Sequence, residues 1–309
     1  MDNSNKEKNF VSAVVYCYND SATIGPFLNH LDQELKNNFL KYEIIVVNDS
    51  SDDDSSDIIT KYGSQREGAV ITLLNMSGHH GVELSMNAGL NLSIGDFVFE
   101  FDMAQEDFNR SLLMEIYRKS LTGYDIVNAN PDSGKRFFNT AYLKLFNHFA
   151  KLQHPIGRDH FRVISRRAIN RIHSITQTIP FRKVAYANCG LAVSNIDYHP
   201  LIPIKSNTEK VTPAQAVDSF ILFTDLAYKI TLTLAGFMML VTIGMGVYAI
   251  VLNLFRTPVE GWTTTVVFMS MGFTGLFVIL SMVIKYLQTI VNLNFKKKEY
   301  LFESITKLQ

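Results

Sequence analysis

The sequence predicts an α/β domain with a mostly parallel sheet and helices on both faces, followed by a two-helix transmembrane hairpin. Three observations carry this. Short apolar, β-prone runs alternate with stretches of helical periodicity through the first two-thirds of the chain. Several of those runs end in acid-rich tips. Two long uncharged runs, residues 230–254 and 262–284, then precede a basic tail.

Taken in order, residues 11–16 form a valine-rich first strand, and 24–35 place apolar residues at helical spacing. Residues 42–47 and 70–74 are near-continuous apolar strands, the pattern of a parallel sheet covered on both faces. A helix over 82–92 precedes a strand starting at Phe97. A helix over 112–121 precedes a short strand at 125–127.

A chain of 309 residues holds one ordinary α/β domain and something more. Its formal net charge is zero, so no bulk attraction to nucleic acid is expected. Cys17 and Cys189 lie far apart with no metal spacing and read as buried free thiols of a reducing compartment. The polar start has no apolar signal region, so no cleaved secretory signal is expected. No GxGxxG follows the first strand and no Walker glycine loop is present, which argues against dinucleotide enzymes and P-loop NTPases.

The mean hydropathy of +0.07 conceals a sharp split. Each uncharged run, as a helix, is about 35 Å long, enough for a hydrocarbon core of about 30 Å. Only residues 255–261, with Pro258 and Gly261, connect them, so both long flanks lie on one side. Lys205, Lys210 and Lys229 precede the first run, and Lys296, Lys297 and Lys298 follow the second. The loop offers Arg256 offset by Glu260. The positive-inside rule then puts both flanks in the cytoplasm and makes the chain a multi-pass protein of the inner membrane. The expected boundaries are 1–212 for the α/β domain, 213–229 for an interfacial amphipathic helix, 230–290 for two membrane helices and 291–309 for a cytoplasmic basic tail. For 213–229, a cytosolic helix packed on the sheet is the competing reading.

In open parallel sheets ligands bind at the carboxyl ends of the strands. Three such ends here are polar: Tyr18-Asn19-Asp20, Asn48-Asp49 with the acids behind it, and Asp102 with Glu106 and Asp107. Carboxylates in this position suit a base or ribose and a metal-bound diphosphate, since hard cations bridge carboxylates to phosphates. A helix N-cap explains part of the second tip, and a solvated acidic turn is the bland reading of the third.

The segments Val14-Val-Tyr-Cys-Tyr-Asn-Asp20, Glu43-Ile-Ile-Val-Val-Asn-Asp-Ser-Ser-Asp-Asp53, Gly81-Val-Glu-Leu-Ser-Met-Asn-Ala-Gly89 and Gly95-Asp-Phe-Val-Phe-Glu-Phe-Asp102 together resemble glycosyltransferase family 2. Asp159-His-Phe-Arg-Val-Ile-Ser-Arg166 and Asn207-Thr-Glu-Lys210 resemble its polyprenyl-phosphate branch, which includes dolichyl-phosphate mannose synthases and bacterial undecaprenyl-phosphate glucosyltransferases. The sequence departs from the pattern at Ala104, where the Asp-x-Asp motif has its second acid, and at His160, which takes the slot of another acid.

The resemblance implies a GT-A fold, a UDP- or GDP-sugar donor, a polyprenyl-phosphate acceptor, Mg²⁺ or Mn²⁺, and inverting transfer for cell-envelope polysaccharide. Self-association is left open. It assigns Asp102, Asp159 and Arg162 to catalysis, and Tyr18, Asn19, Asp49, His79 and Asp102 to the nucleotide sugar. Lys135, Arg136, Arg162 and Lys210 fall to the acceptor phosphate, and Asp102 with Glu106 or Asp107 to the metal. A phosphate acceptor needs no strong base, because its second pKa is about 6. The alternative is a degenerate family member acting as a membrane scaffold or partner subunit.

Overall fold

Strand β1 (Glu7–Cys17) lies at the centre of the sheet and is buried on both faces, which is why its sequence does not alternate. Val11, Ala13 and Val15 enter one apolar cluster, while Val14 and Tyr16 enter the other. The computed structural model describes residues 6–66, 70–132, 137–150, 152–175, 181–203 and 302–308, with scattered positions between 230 and 290.

The chain continues through α1 (Ser21–Asn38), β2 (Phe39–Asn48), α2 (Ser55–Ser64), β3 (Val70–Met76), α3 (Val82–Leu92), β4 (Phe97–Phe101), α4 (Ser111–Leu121) and β5 (Ile126–Pro131). It then forms α5 (Phe137–Phe149), β6 (Phe161–Ser165), α6 (Arg166–Ile175), α7 (Arg182–Ala187), β7 (Val193–Tyr198) and β8 (Phe302–Leu308). The eight strands lie in the order β7-β5-β6-β4-β1-β2-β3-β8. The β4-β1-β2-β3 core is parallel, as the alternating pattern predicts, and the β5–β7 pair is parallel too. Strand β6 runs antiparallel between β4 and β5, which brings its first residues to the carboxyl end of β4.

Two glycines permit close layers. A Cβ on Gly89 of α3 would lie 2.5 Å from Val14 Cγ1 and 2.7 Å from Val47 Cγ2, so the helix sits directly on β1 and β2. A Cβ on Gly63 would lie 2.4 Å from the Leu308 Cβ. That contact belongs to β8, which pairs antiparallel with β3. The end of the chain is therefore not simply a basic tail: residues 302–308 complete the sheet at its edge.

The chain divides into two compact units. One comprises Met1–Asn147, Leu152–Val211 and Lys297–Gln309; the other comprises His148–Lys151 and Thr212–Lys296. The expected interfacial helix over 213–229 lies outside the described residues, as do most positions of the two uncharged runs. Among the described residues no helix is long and apolar enough to cross a membrane. The described positions in the runs are helical, and several are exposed apolar residues, Leu240 at 70% and Leu276 at 58%. Within this unit a Cβ on Gly275 would lie 2.7 Å from the Met238 Cε.

Candidate functional site

The carboxyl ends of β1 and β2 are tied together by their own side chains. Asn19 and Ser50 adopt left-handed backbone, with φ of 52° and 58°, which turns both strand tips sharply. The Ser51 hydroxyl accepts from the Asn19 amide at 3.0 Å, and the Asn19 side chain accepts from the Asp52 amide at 2.9 Å. Asp53 accepts from the Ser21 and Ser55 amides. Burial opposes its ionised form, but these hydrogen bonds together outweigh it and hold its carboxyl down to about 2.

Asp49 is fully buried and filled by donors of this chain. It accepts from the Tyr16 hydroxyl at 2.9 Å and from the His80 and Gly81 amides at 2.8 Å, with His79 Nδ1 at 3.0 Å. The Tyr18 and His79 rings lie 4.2 Å apart, tilted by 31°. His79 keeps 53% of its side chain exposed. The predicted donor-binding residues Tyr18, Asn19, Asp49 and His79 are thus brought together. Asp49 and Asn19, however, spend their hydrogen-bonding capacity on holding the loops.

The end of β4 is different in kind. Arg162 and Arg182, both fully buried, meet on Asp102. Arg162 donates to Asp102 Oδ2 at 2.6 Å, and Arg182 to Oδ1 at 2.7 Å. Both also reach Glu100, at 2.6 and 3.0 Å, where the Tyr186 hydroxyl donates at 2.7 Å. Asp159 accepts from Arg162 Nε at 2.8 Å, and Glu83 from Arg182 Nε at 3.1 Å. Lys183 donates to the Asp159 carbonyl and keeps about a fifth of its side chain exposed (20%). Burial raises the Asp102 carboxyl, but the charges on Arg162, Arg182 and Lys183 outweigh it and hold the group well below the usual range. Asp159 is lowered against burial by Lys183 and Arg162. Buried ions persist only when paired and hydrogen-bonded, and here each guanidinium is spent on carboxylates.

These contacts revise several expectations. Asp102, Asp159 and Arg162 come together as expected, but Arg162 is fully buried and turned onto Glu100, Asp102 and Asp159 rather than toward an acceptor phosphate. Glu106 turns away from Asp102 to His30 and Arg110, and Asp107 is buried under His160 and Tyr198. Ala104 is 1% exposed and packs in an apolar cluster. Among the described residues no group of three or more His, Cys, Asp or Glu side chains could hold a metal. With both Asp102 oxygens committed, this donor set does not fit a divalent ion. Lys135, Arg136 and Lys210 lie outside the described residues.

Sequence reasoning missed Glu100, Arg182, Tyr186, Glu83 and Lys183. Glu100 carried a signal, since an acid inside the apolar run 97–101 must find a partner when buried. Arg182 carried none, because its partner Asp102 is 80 residues away.

The sequence pattern of glycosyl transferase family 2 matches residues 12–173, more than half of the chain. An uncharacterized glycosyltransferase of Synechocystis is 28% identical over 187 residues, 58% of each chain. The putative glycosyltransferase CsbB of Bacillus subtilis is 25% identical over 66% of this chain and 62% of its own. The match thus spans less than two thirds of either relative's length. The undecaprenyl-phosphate 4-deoxy-4-formamido-L-arabinose transferase of Serratia proteamaculans is 29% identical over 117 residues, 38% of this chain and 35% of its own. Among solved structures, the mannosyltransferase PcManGT from Pyrobaculum calidifontis, in complex with GDP-Man and Mn²⁺, is similar with a TM-score of 0.51. It is 15% identical and covers 70% of this chain and 63% of that one, which shows a common GT-A-like fold. The family follows from the match over residues 12–173: this chain belongs to glycosyl transferase family 2.

Proposed function

We propose that this protein transfers a sugar, with inversion, from a UDP- or GDP-sugar to a polyprenyl phosphate at the cytoplasmic face of the inner membrane. The observation that carries the reading is the polar carboxyl end of the parallel sheet in the family's fold, where the Tyr18–His79 pair follows β1 and the Asp102 cluster with Lys183 follows β4. In this reading the Tyr18–His79 pair offers a face for the base, and the Asp49 network fixes the loop that carries His79. The diphosphate lies toward Asp102 and Lys183. Arg162 acts by positioning Asp102 and Asp159. The acceptor phosphate, already anionic near neutral pH, attacks without a strong base. Lys135, Arg136 and Lys210 are its proposed cations.

The lipid acceptor is supported by the similarity to an undecaprenyl-phosphate transferase. The uncharged runs and the lysines around them support a membrane hairpin. So does the return of the chain to its own sheet at β8, which requires an even number of crossings of any segment between. A second reading, a degenerate scaffold, is favoured by one observation: Asp102 is closed by two arginines while Ala104 replaces the second acid.

Membranes bearing the protein, given undecaprenyl phosphate and radiolabelled UDP- and GDP-sugars in turn, distinguish the two. Transfer puts label into an organic-extractable lipid with at least one donor. Failure with every donor, from folded protein, would leave the scaffold.

A further inference from the structure

The cluster at Asp102 is electrically complete without a metal. Its three inner carboxylates, Glu100, Asp102 and Asp159, face three cations, Arg162, Arg182 and Lys183. The fourth acid, Glu83, lies at the rim with 27% of its side chain exposed to water. A divalent ion on Asp102 would have to evict a guanidinium from a fully buried site, and a buried arginine stripped of its partner is an uncompensated charge. Position 104, where a second ligand would come from, instead packs Ala104 into the apolar cluster. Lys183 differs from the two arginines. It follows Arg182 directly on α7, so Arg182 fixes its backbone beside Asp102, and its ammonium is partly open to solvent. One of its donors goes to the Asp159 carbonyl, which leaves capacity for an oxyanion.

We propose that this protein binds the diphosphate of its donor through Lys183, held in place by the Arg162–Asp102–Arg182 clamp, and without a divalent metal. The inference rests on the nucleotide-sugar reading above. Lys183 supplies the charge that the leaving diphosphate needs, and Asp102 acts as the anchor of the clamp.

The test is calorimetric titration of the full chain in detergent with UDP-glucose, UDP-N-acetylglucosamine and GDP-mannose, each with Mn²⁺ and with EDTA. At least one donor binds, with affinities that agree within about twofold between the two conditions, well short of the tenfold that 1.4 kcal/mol represents. In EDTA, Lys183→Gln weakens that binding by roughly tenfold or more, as expected for a lost hydrogen bond to a charged group, while Lys183→Arg largely restores it. Both variants change a partly exposed side chain, and a thermal melt checks their folding. Tightening of tenfold or more by Mn²⁺ overturns the inference and leaves the nucleotide-sugar reading standing. An unchanged affinity in Lys183→Gln also overturns it. Absence of binding by all three donors in both conditions overturns the nucleotide-sugar reading and this inference with it.

Discussion

Asp49 and Asp102 are both carboxylates at the ends of central parallel strands, and both are buried, yet they are satisfied in opposite ways. Asp49 accepts from a tyrosine hydroxyl and two backbone amides within its own corner of the fold. Asp102 accepts from two guanidinia carried by β6 and α7. The first arrangement shapes a loop around one carboxylate with hydroxyl and amide donors, so losing a donor leaves that single group under-satisfied. The second balances charge against charge, so removing one member leaves the others unpaired in a dry site. The first corner is therefore suited to presenting a fixed surface to a base, and the second to holding phosphate-binding groups at a set distance.

The largest effect should come from breaking the second arrangement. Arg162→Met leaves Glu100, Asp102 and Asp159 short of a counter-charge. Removing one partner of a buried ion pair costs on the order of 3–5 kcal/mol. Urea unfolding should show a loss of that size. A loss below about 1 kcal/mol, the range of exposed pairs, would mean that the cluster is wetter and looser than its geometry.

Acid separates the two corners. Asp53, at the β2 corner, has a folded value lowered from 3.8 to about 2. A depressed carboxylate stabilises above its unfolded value, and that contribution is lost as pH falls through the folded one. Asp53 should lose its share between pH 3.8 and about 2. Asp102, held lower by its arginines, should stay ionised in the folded protein through the same window, although its stabilising share also falls there as the unfolded carboxyl protonates. Carboxyl titration by NMR should show the Asp53 signal moving there and the Asp102 signal still. Protonation of Asp102 in that window would contradict the clamp.

The smallest effect concerns Cys17, the last residue of β1, next to Tyr18. Burial and the nearby Asp20 push its thiol up to about 12. Since the thiolate is the reactive form, native protein at pH 8 should leave Cys17 unlabelled by a maleimide that modifies it after denaturation. Rapid native labelling would mean that the β1 corner opens far more readily than its hydrogen bonds suggest.

What could be read from the sequence follows the range of the interactions. Strands β1 to β4 and helices α1, α3 and α4 announce themselves by local periodicity, and the acids at the strand ends by abrupt changes of polarity. Antiparallel β6 and the edge strand β8 were not legible as such. Leu308 pairs with Ile71 and packs on Gly63, contacts that no local pattern encodes. The site divides the same way. Asp102 could be picked out because it ends an apolar strand, but the residues that meet it lie 60 and 80 positions away. An arginine that pairs with a distant acid looks, in sequence, like any surface arginine.

In the proposed reading the Asp102 corner sets the charge beside the donor's leaving diphosphate, while the Asp49 corner holds the donor's base. The most direct measurement compares Asp102→Asn and Asp49→Asn, both verified as folded, in steady-state transfer of labelled sugar to undecaprenyl phosphate. Asp102→Asn removes the charge and sets an NH2 donor against one guanidinium in place of an accepting oxygen. Transfer at saturating donor should fall by roughly a hundredfold, the size of a lost preorganised electrostatic contact. Asp49→Asn should raise the donor KM and leave kcat within about threefold, the signature of lost uniform binding. The opposite split, or an Asp102→Asn variant that turns over as fast as the parent, would overturn this division of roles.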